Sequence, residues 1–443
     1  MPAIAPETEL HIAQTETAVR LSAAGRGIRP ERPIEEVLED IQRTAALPLE
    51  QATTLPPEVY TSEAFYGWET THVFQQEWLC VAHVSQIPQV GDFLTLDLLG
   101  EPLLVLLGKD EQVHILSRVC PHRGMDIMPP GFGRNEHSTA EASTSPGCGH
   151  TRLLLCPYHS WTFELDGKLK ACPEMQQAEG FVRDAHALKE FHSEIWNGFV
   201  FVNFDGSAPP LAPRLSSMDA DFGQWNPEDM EIVIQRSWDC PFNWKVLVEN
   251  FMESYHHLGA HAKTLQPMMP ARDTWNEQER ELYVRCHLPF TGRFMEDVAS
   301  LEHPFGFPTI GGLDESKKAE SGLFLIHPTF LAFVLPDRVV WYRIEPQGPD
   351  RLRLLTTMLV PRETTRREDF ASVLERETPM FFEFHLEDME MCTAIQRGMH
   401  ALGAQRGRLS HLEMSVWLVQ RYLAARARGT WPTLDQPAAP GQR

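Results

Sequence analysis

The stretch CPYHSW, residues 156–161, places Cys156 three positions before His159, and upstream VCPHRG, residues 119–124, places Cys120 two positions before His122. Each short loop offers one thiolate and one imidazole, so together they offer four metal ligands. A zinc ion accepts such a set, but zinc fingers put the cysteines on one knuckle and the histidines on a helix. Here each loop carries one of each.

Two loops that grip opposite ends of a two-iron cluster can give both cysteines to one iron and both histidines to the other, the ligand set of a Rieske [2Fe–2S] centre. Neutral imidazoles in place of two thiolates reduce the negative charge around the cluster and raise its potential. A second Cys-x-His, Cys148-Gly149-His150, competes poorly. Only five residues lie between His150 and Cys156, too few for the strands needed between a pair of cluster-gripping loops, whereas 33 lie between His122 and Cys156. Cys148, His150 and His137 are therefore assigned to a long surface loop of small, polar residues over 131–151. The bland alternative for Cys120, His122, Cys156 and His159 is two buried cysteines and two structural histidines, against which the pairing of the two motifs argues.

Outward from these loops, FLTLDLLGEPLLVLLGKDEQVHILSRV (93–119) alternates short apolar runs with turn signals and reads as consecutive antiparallel strands. Strand-like pieces resume in LLLCPYHSWTFELDGKLKAC (153–172) and NGFVFVNFDG (197–206), and SAPPLAP (207–213) reads as a linker. Beyond it come a helical stretch, NWKVLVENFMESYHH (243–257), apolar strands over 323–361, and late helices near 363–401 and 408–427. The expected class is α+β: an antiparallel β domain, then a domain with an antiparallel sheet covered by helices. The expected boundaries are 1–57 for an N-terminal extension with one helix-like piece, 58–206 for the cluster domain, 207–435 for the second domain, and 436–443 for a tail.

With 443 residues and 42% hydrophobic content, the chain has material for two domains. A formal net charge of −22 argues against a nucleic-acid partner. No run approaches the length of a membrane span, and the first residues lack a secretory pattern, so no membrane association and a cytoplasmic location are expected. Eight scattered cysteines fit reduced thiols and metal ligands better than a disulfide framework. Cys80, Cys172, Cys240 and Cys286 are read as small core residues.

CPHRGMDIM (120–128) followed by CPYHSWTFELDGKL (156–169) resembles the Rieske domain of the ring-hydroxylating and demethylating oxygenases, whose large (alpha) subunits carry a second, mononuclear iron. The interval between the motifs is shorter in that family, so the loop at 131–151 is a departure, on the surface facing the electron donor. The resemblance implies two histidines and a carboxylate for an iron(II) facial triad, which leaves coordination positions open for dioxygen. ENFMESYHHLGAH (249–261) offers Glu253, His256, His257 and His261. Helix geometry alone selects His257 and His261, which share a face at i,i+4. Gly259 between the histidines permits a distortion that re-aims His261, and the E-x-Y-H-x-x-x-x-H pattern resembles the family's, in which the first histidine after the tyrosine is the ligand. His256 and His261 are therefore the expected ligands, with His257 the rival.

The third ligand is sought in FHLEDMEMCTAIQRG (384–398), where Asp388, Cys392 and Gln396 fall on one helix face. The pattern E-D-x-x-x-C-x-x-x-Q-x-G resembles the late metal-binding helix of the choline and glycine-betaine monooxygenase branch and points to Asp388, with Glu387 and Glu390 as alternatives. The resemblance also implies that Glu253 bridges a Rieske histidine of a neighbouring subunit to an iron ligand, within a homotrimer. It implies a terminal oxygenase that takes electrons from a separate reductase, with or without a ferredoxin, drawing on reduced nicotinamide, and uses O2 to hydroxylate or N-demethylate a small organic substrate. A quaternary amine is favoured; an aromatic ring or aromatic carboxylate is the alternative. A Rieske electron-transfer or redox-sensing protein is the non-enzymatic alternative, and a zinc-binding module a further one.

Overall fold

A computed structural model describes residues 31–128, 147–277 and 282–430. The described chain forms two compact units, one over 75–211 and one built from the residues before 75 and after 211.

The first unit is antiparallel throughout. Its strands are β1 (Leu79–His83), β2 (Asp92–Leu98), β3 (Glu101–Leu107), β4 (Val113–Ser117), β5 (Cys148–His150), β6 (Leu154–Leu155), β7 (Thr162–Phe163), β8 (Leu169–Ala171), β9 (Glu190–Trp196) and β10 (Phe199–Asn203). Seven make one sheet in the order β1-β10-β9-β4-β3-β2-β5, and β6-β7-β8 make a small second sheet. Leu99 and Gly100, both at positive φ, form the two-residue turn that pairs Leu98 with Glu101, the handedness a tight hairpin requires. Leu104, Leu106 and Leu116 of the large sheet share a core with Leu154, Phe163 and Leu169 of the small one, and Cys120, Cys156 and Trp161 lie inside that core.

The second unit contains β11 (Met230–Cys240), β12 (Trp275–Asn276), β13 (Tyr283–Pro289), β14 (Glu320–Ile326), β15 (Phe330–Leu335), β16 (Arg338–Gly348) and β17 (Arg351–Pro361). Strands β13 to β17 form a continuous antiparallel meander, with β11 beside β17 at one edge and β12 beside β13 at the other. The long helix Phe370–Met399 packs by its buried face: Met389 Sδ lies 3.7 Å from Cys240 Sγ, and the Gln396 side chain accepts from the Asn243 N–H at 2.9 Å and donates to the Tyr60 carbonyl at 3.0 Å. Helix Ile34–Ala45 contacts helix Met414–Ala427, and the Trp417 indole donates to the Leu47 carbonyl at 2.9 Å. Lys245 and Glu69, both fully buried, pair at 2.7 Å.

The structure differs from the expected boundaries at residues 58–74, placed above in the cluster domain. They pack within the second unit, where the Tyr60 hydroxyl donates to Glu249 at 2.8 Å. Cys148–His150, expected in a loop, form the edge strand β5 against β2 because the backbone of Asp92–Leu94 offers them a ladder. Residues 1–30 of the extension, 131–146 of the insertion with His137, and the tail at 436–443 lie outside the described residues. No helix among the described residues is long and apolar enough to cross a membrane.

Candidate metal centres

The two Cys–His loops of the first unit are built alike despite their different spacing. In one, the Cys120 N–H donates to the Met125 carbonyl at 2.8 Å and the Gly124 N–H returns to the Cys120 carbonyl at 2.9 Å. In the other, the Cys156 N–H donates to the Trp161 carbonyl at 2.7 Å and the Ser160 N–H returns to the Cys156 carbonyl at 3.0 Å. Closing each loop needs a left-handed residue four positions after the cysteine, and Gly124 (φ 72°) and Ser160 (φ 59°) supply it. Both cysteines are buried, whereas His122 and His159 are half-buried with ring centroids 4.7 Å apart. Trp161 stacks on His122 at 4.7 Å, which restrains that ring.

This chain's residues fit a two-iron cluster. The buried Nδ1 of His159 has no hydrogen-bond partner, as expected of an atom reserved for a metal. Burial, reinforced by the neighbouring Cys156 sulfur, pushes the Cys120 thiol up to about 11, so its deprotonation falls to a bound metal. With thiols in the core and imidazoles toward the surface, the histidine end is the exposed one.

In the second unit, His256, His261 and Asp388 come together: one ligand atom from each lies within 4.8 Å of the others. Asp388 Oδ1 is 2.9 Å from His261 Nε2 and 3.5 Å from His256 Nε2. This is the two-histidine, one-carboxylate donor set suited to iron(II). The opposite nitrogens are also held, His256 Nδ1 by Glu253 Oε1 at 2.6 Å and His261 Nδ1 by Glu387 Oε2 at 2.7 Å. Burial alone would depress the His256 imidazolium, but hydrogen bonds to Asp388 and Glu253 outweigh it and carry it up to about 10. Burial would raise Asp388, yet the two imidazoles hold it well below the usual carboxylate range. A divalent cation among these groups would displace the protons on the two Nε2 atoms and leave those on Nδ1.

The local fold differs from the single helix expected over 243–257. Helix Trp244–Phe251 ends early, and a short 3-10 turn, Tyr255–Leu258, follows. The Glu253 carboxylate accepts from the N–H groups of Tyr255 and His256, offering the backbone an alternative to continuing the helix. Glu253 thus meets His256 through a turn, not through a shared helix face. Gly259 has φ −111°, open to any residue, so the re-aiming of His261 does not depend on glycine. His257 lies outside the three-residue group: its Nδ1 faces the Met269 carbonyl at 3.0 Å, and burial with the neighbouring His256 depresses it to about 4. Glu390, an alternative to Asp388, is exposed. Cys148 is exposed, and His150 pairs with Asp92 at 2.9 Å. Thr264, whose hydroxyl donates to Glu387 at 2.7 Å, gave no signal in the sequence because its partner lies far along the chain.

Comparison with known proteins adds family relationships to this geometry. Residues 77–191 match the Rieske [2Fe-2S] domain, and residues 227–429 match the catalytic domain of the ring hydroxylating alpha subunit. The carnitine monooxygenase oxygenase subunit of Acinetobacter pittii is 31% identical over 217 residues, 47% of this chain and 53% of that protein. The chain therefore spans about half the length of that curated relative. The glycine betaine monooxygenase oxygenase subunit of Chromohalobacter salexigens is 25% identical over 382 residues, 80% of this chain and 81% of that protein. Among solved structures, the quaternary ammonium Rieske monooxygenase CntA in complex with L-carnitine has a TM-score of 0.70 at 22% identity, covering 90% of this chain and 100% of that one, a likeness of fold.

Proposed function

We propose, from the premise that this chain belongs to the Rieske-type ring-hydroxylating oxygenase alpha subunits, that it is a terminal oxygenase acting on a small quaternary amine. One observation carries the reading: His256, His261 and Asp388 converge on one point in a chain that also bears the paired Cys–His loops. When bound, a Rieske cluster supplies single electrons and a mononuclear iron(II) supplies dioxygen activation. Cys120, Cys156, His122 and His159 would hold the first, and His256, His261 and Asp388 the second.

The remaining work falls to this chain's own side chains. Glu253 accepts the Nδ1 proton of His256 and so fixes that ring with Nε2 toward Asp388. By resemblance, the same carboxylate bridges to a Rieske histidine of a neighbouring copy in a homotrimer. One turn before Asp388 on its helix, Phe384 packs against Phe381 and Phe333 with ring centroids 6.1 and 6.2 Å away. Aromatic faces of this kind suit a quaternary ammonium head, held by cation–π attraction. The relatives named for carnitine and glycine betaine oxidation support the same substrate class. A separate reductase drawing on reduced nicotinamide, with or without a ferredoxin, and a cytoplasmic location complete the proposal.

The test is metal and sulfide analysis of the purified protein, with electron paramagnetic resonance. The expected result is about three irons and two sulfides per chain with a Rieske signal. His261→Ala should lose the mononuclear iron and keep the cluster. Loss of that iron on His257→Ala, with His256→Ala harmless, would show the ligand assignment to be wrong. Oxygen uptake coupled to carnitine or glycine betaine, set against an aromatic acid, tests the substrate class.

A further inference from the structure

His261 is gripped from both sides by consecutive residues of one helix. Its Nε2 lies 2.9 Å from Asp388 Oδ1, and its Nδ1 lies 2.7 Å from Glu387 Oε2. Neighbouring side chains on an α-helix diverge by about 100°, which lets them approach one imidazole along its two nitrogen edges. The Thr264 hydroxyl donates to the same Glu387 oxygen at 2.7 Å, and the Thr264 N–H returns to the His261 carbonyl at 3.2 Å. His261 is wholly buried, whereas 31% of the Glu387 side chain is exposed.

We propose that Glu387, braced by Thr264, is a positioning residue for the metal ligand His261. By accepting the Nδ1 proton it selects one tautomer and leaves the Nε2 lone pair facing Asp388 and His256. Its negative charge behind the ring makes the imidazole a stronger donor. Carboxylates behind ligand histidines act in this way in metalloproteins generally. Glu387 is separated from Asp388 by a single peptide bond, so any movement of the helix that displaces the ligand also displaces the support. This inference rests on the reading of His256, His261 and Asp388 as the iron site.

The experiment uses the full-length protein with its cluster intact, dialysed against iron(II) buffered by a chelator. Nitric oxide added to the iron(II) form provides the electron paramagnetic resonance signature of the mononuclear site. Glu387→Ala should bind iron(II) about 10- to 100-fold more weakly than the parent, with an altered nitrosyl signal. Glu387→Gln keeps an oxygen acceptor and the side-chain volume, so it should fall between the two and restore the parent's signal shape. Thr264→Val should weaken binding by only about a few-fold, because it removes the brace and leaves the Glu387 carboxylate in place. Cluster absorbance and melting temperature report that each variant is folded.

A folded Glu387→Ala protein that holds iron(II) as tightly as the parent, with an unchanged nitrosyl signal, overturns the proposal. Loss of iron from Glu387→Gln as complete as from His261→Ala also overturns it, by making Glu387 a ligand. A parent that binds no mononuclear iron removes the site reading and this inference together. The three failures are distinguishable because the parent and His261→Ala are measured alongside.

Discussion

Glu249 shows how far a single half-buried carboxyl can reach. Burial raises it from 4.5 to about 7, only partly opposed by the Tyr60 hydroxyl and the Lys245 charge. Because the folded state binds this proton more tightly, the contribution to stability is full below about 4.5 and lost as the pH rises through about 7. Glu249→Gln, whose amide oxygen still accepts from Tyr60, removes that slope. Its melting temperature relative to the parent should rise between pH 5 and pH 8, with a gain on the order of 2 kcal/mol at the upper end. An unchanged difference across that range would place the proton elsewhere. At this scale the sequence was most informative where chemistry imposes spacing. The paired Cys-x-His and Cys-x-x-His, and the histidines of 256–261, stand out because few other needs put those residues together. Glu387 was visible only as a rival to Asp388, and Thr264 not at all, since their meeting is made by packing.

Elements show a different balance. Strands β2 to β4 and the helix Phe370–Met399 follow from apolar period and turn chemistry, which local sequence encodes. The end of helix Trp244–Phe251 did not, because the apolar pattern runs on while a carboxylate competes for the next backbone donors. The likeness of the two Cys–His loops was also hidden, since glycine fills the left-handed position in one and serine in the other. At Gly124 no atom lies within 4 Å of an added Cβ, so only backbone conformation penalises a side chain there. Gly124→Ala should therefore destabilise the first unit by about 1 kcal/mol, read as earlier thermal loss of cluster absorbance. A cost several times larger would mean that the loop is constrained by packing as well.

At the scale of the whole molecule, charge sets the terms of assembly. A chain of net charge −22 repels its copies, and screening shortens the reach of that repulsion to about 8 Å at physiological ionic strength. The proposed homotrimer should therefore tighten as salt rises from low to moderate concentration. Sedimentation near three times the chain mass, with more dissociation at low salt, is the expected result; a monomer under all conditions counts against it. Domain boundaries were the least legible feature. Residues 58–74 precede the cluster unit in sequence but pack with segments that follow it, and no local pattern announces so distant a partner.

That discontinuity has a consequence during synthesis. Residues 75–211 emerge from the ribosome as one uninterrupted stretch with its own core and can close as soon as they are out. Helix Ile34–Ala45 emerges earlier, whereas the helix it packs against, Met414–Ala427, is translated far later. Its apolar face must wait for that distant helix, so a segment made before the cluster unit is buried only after it.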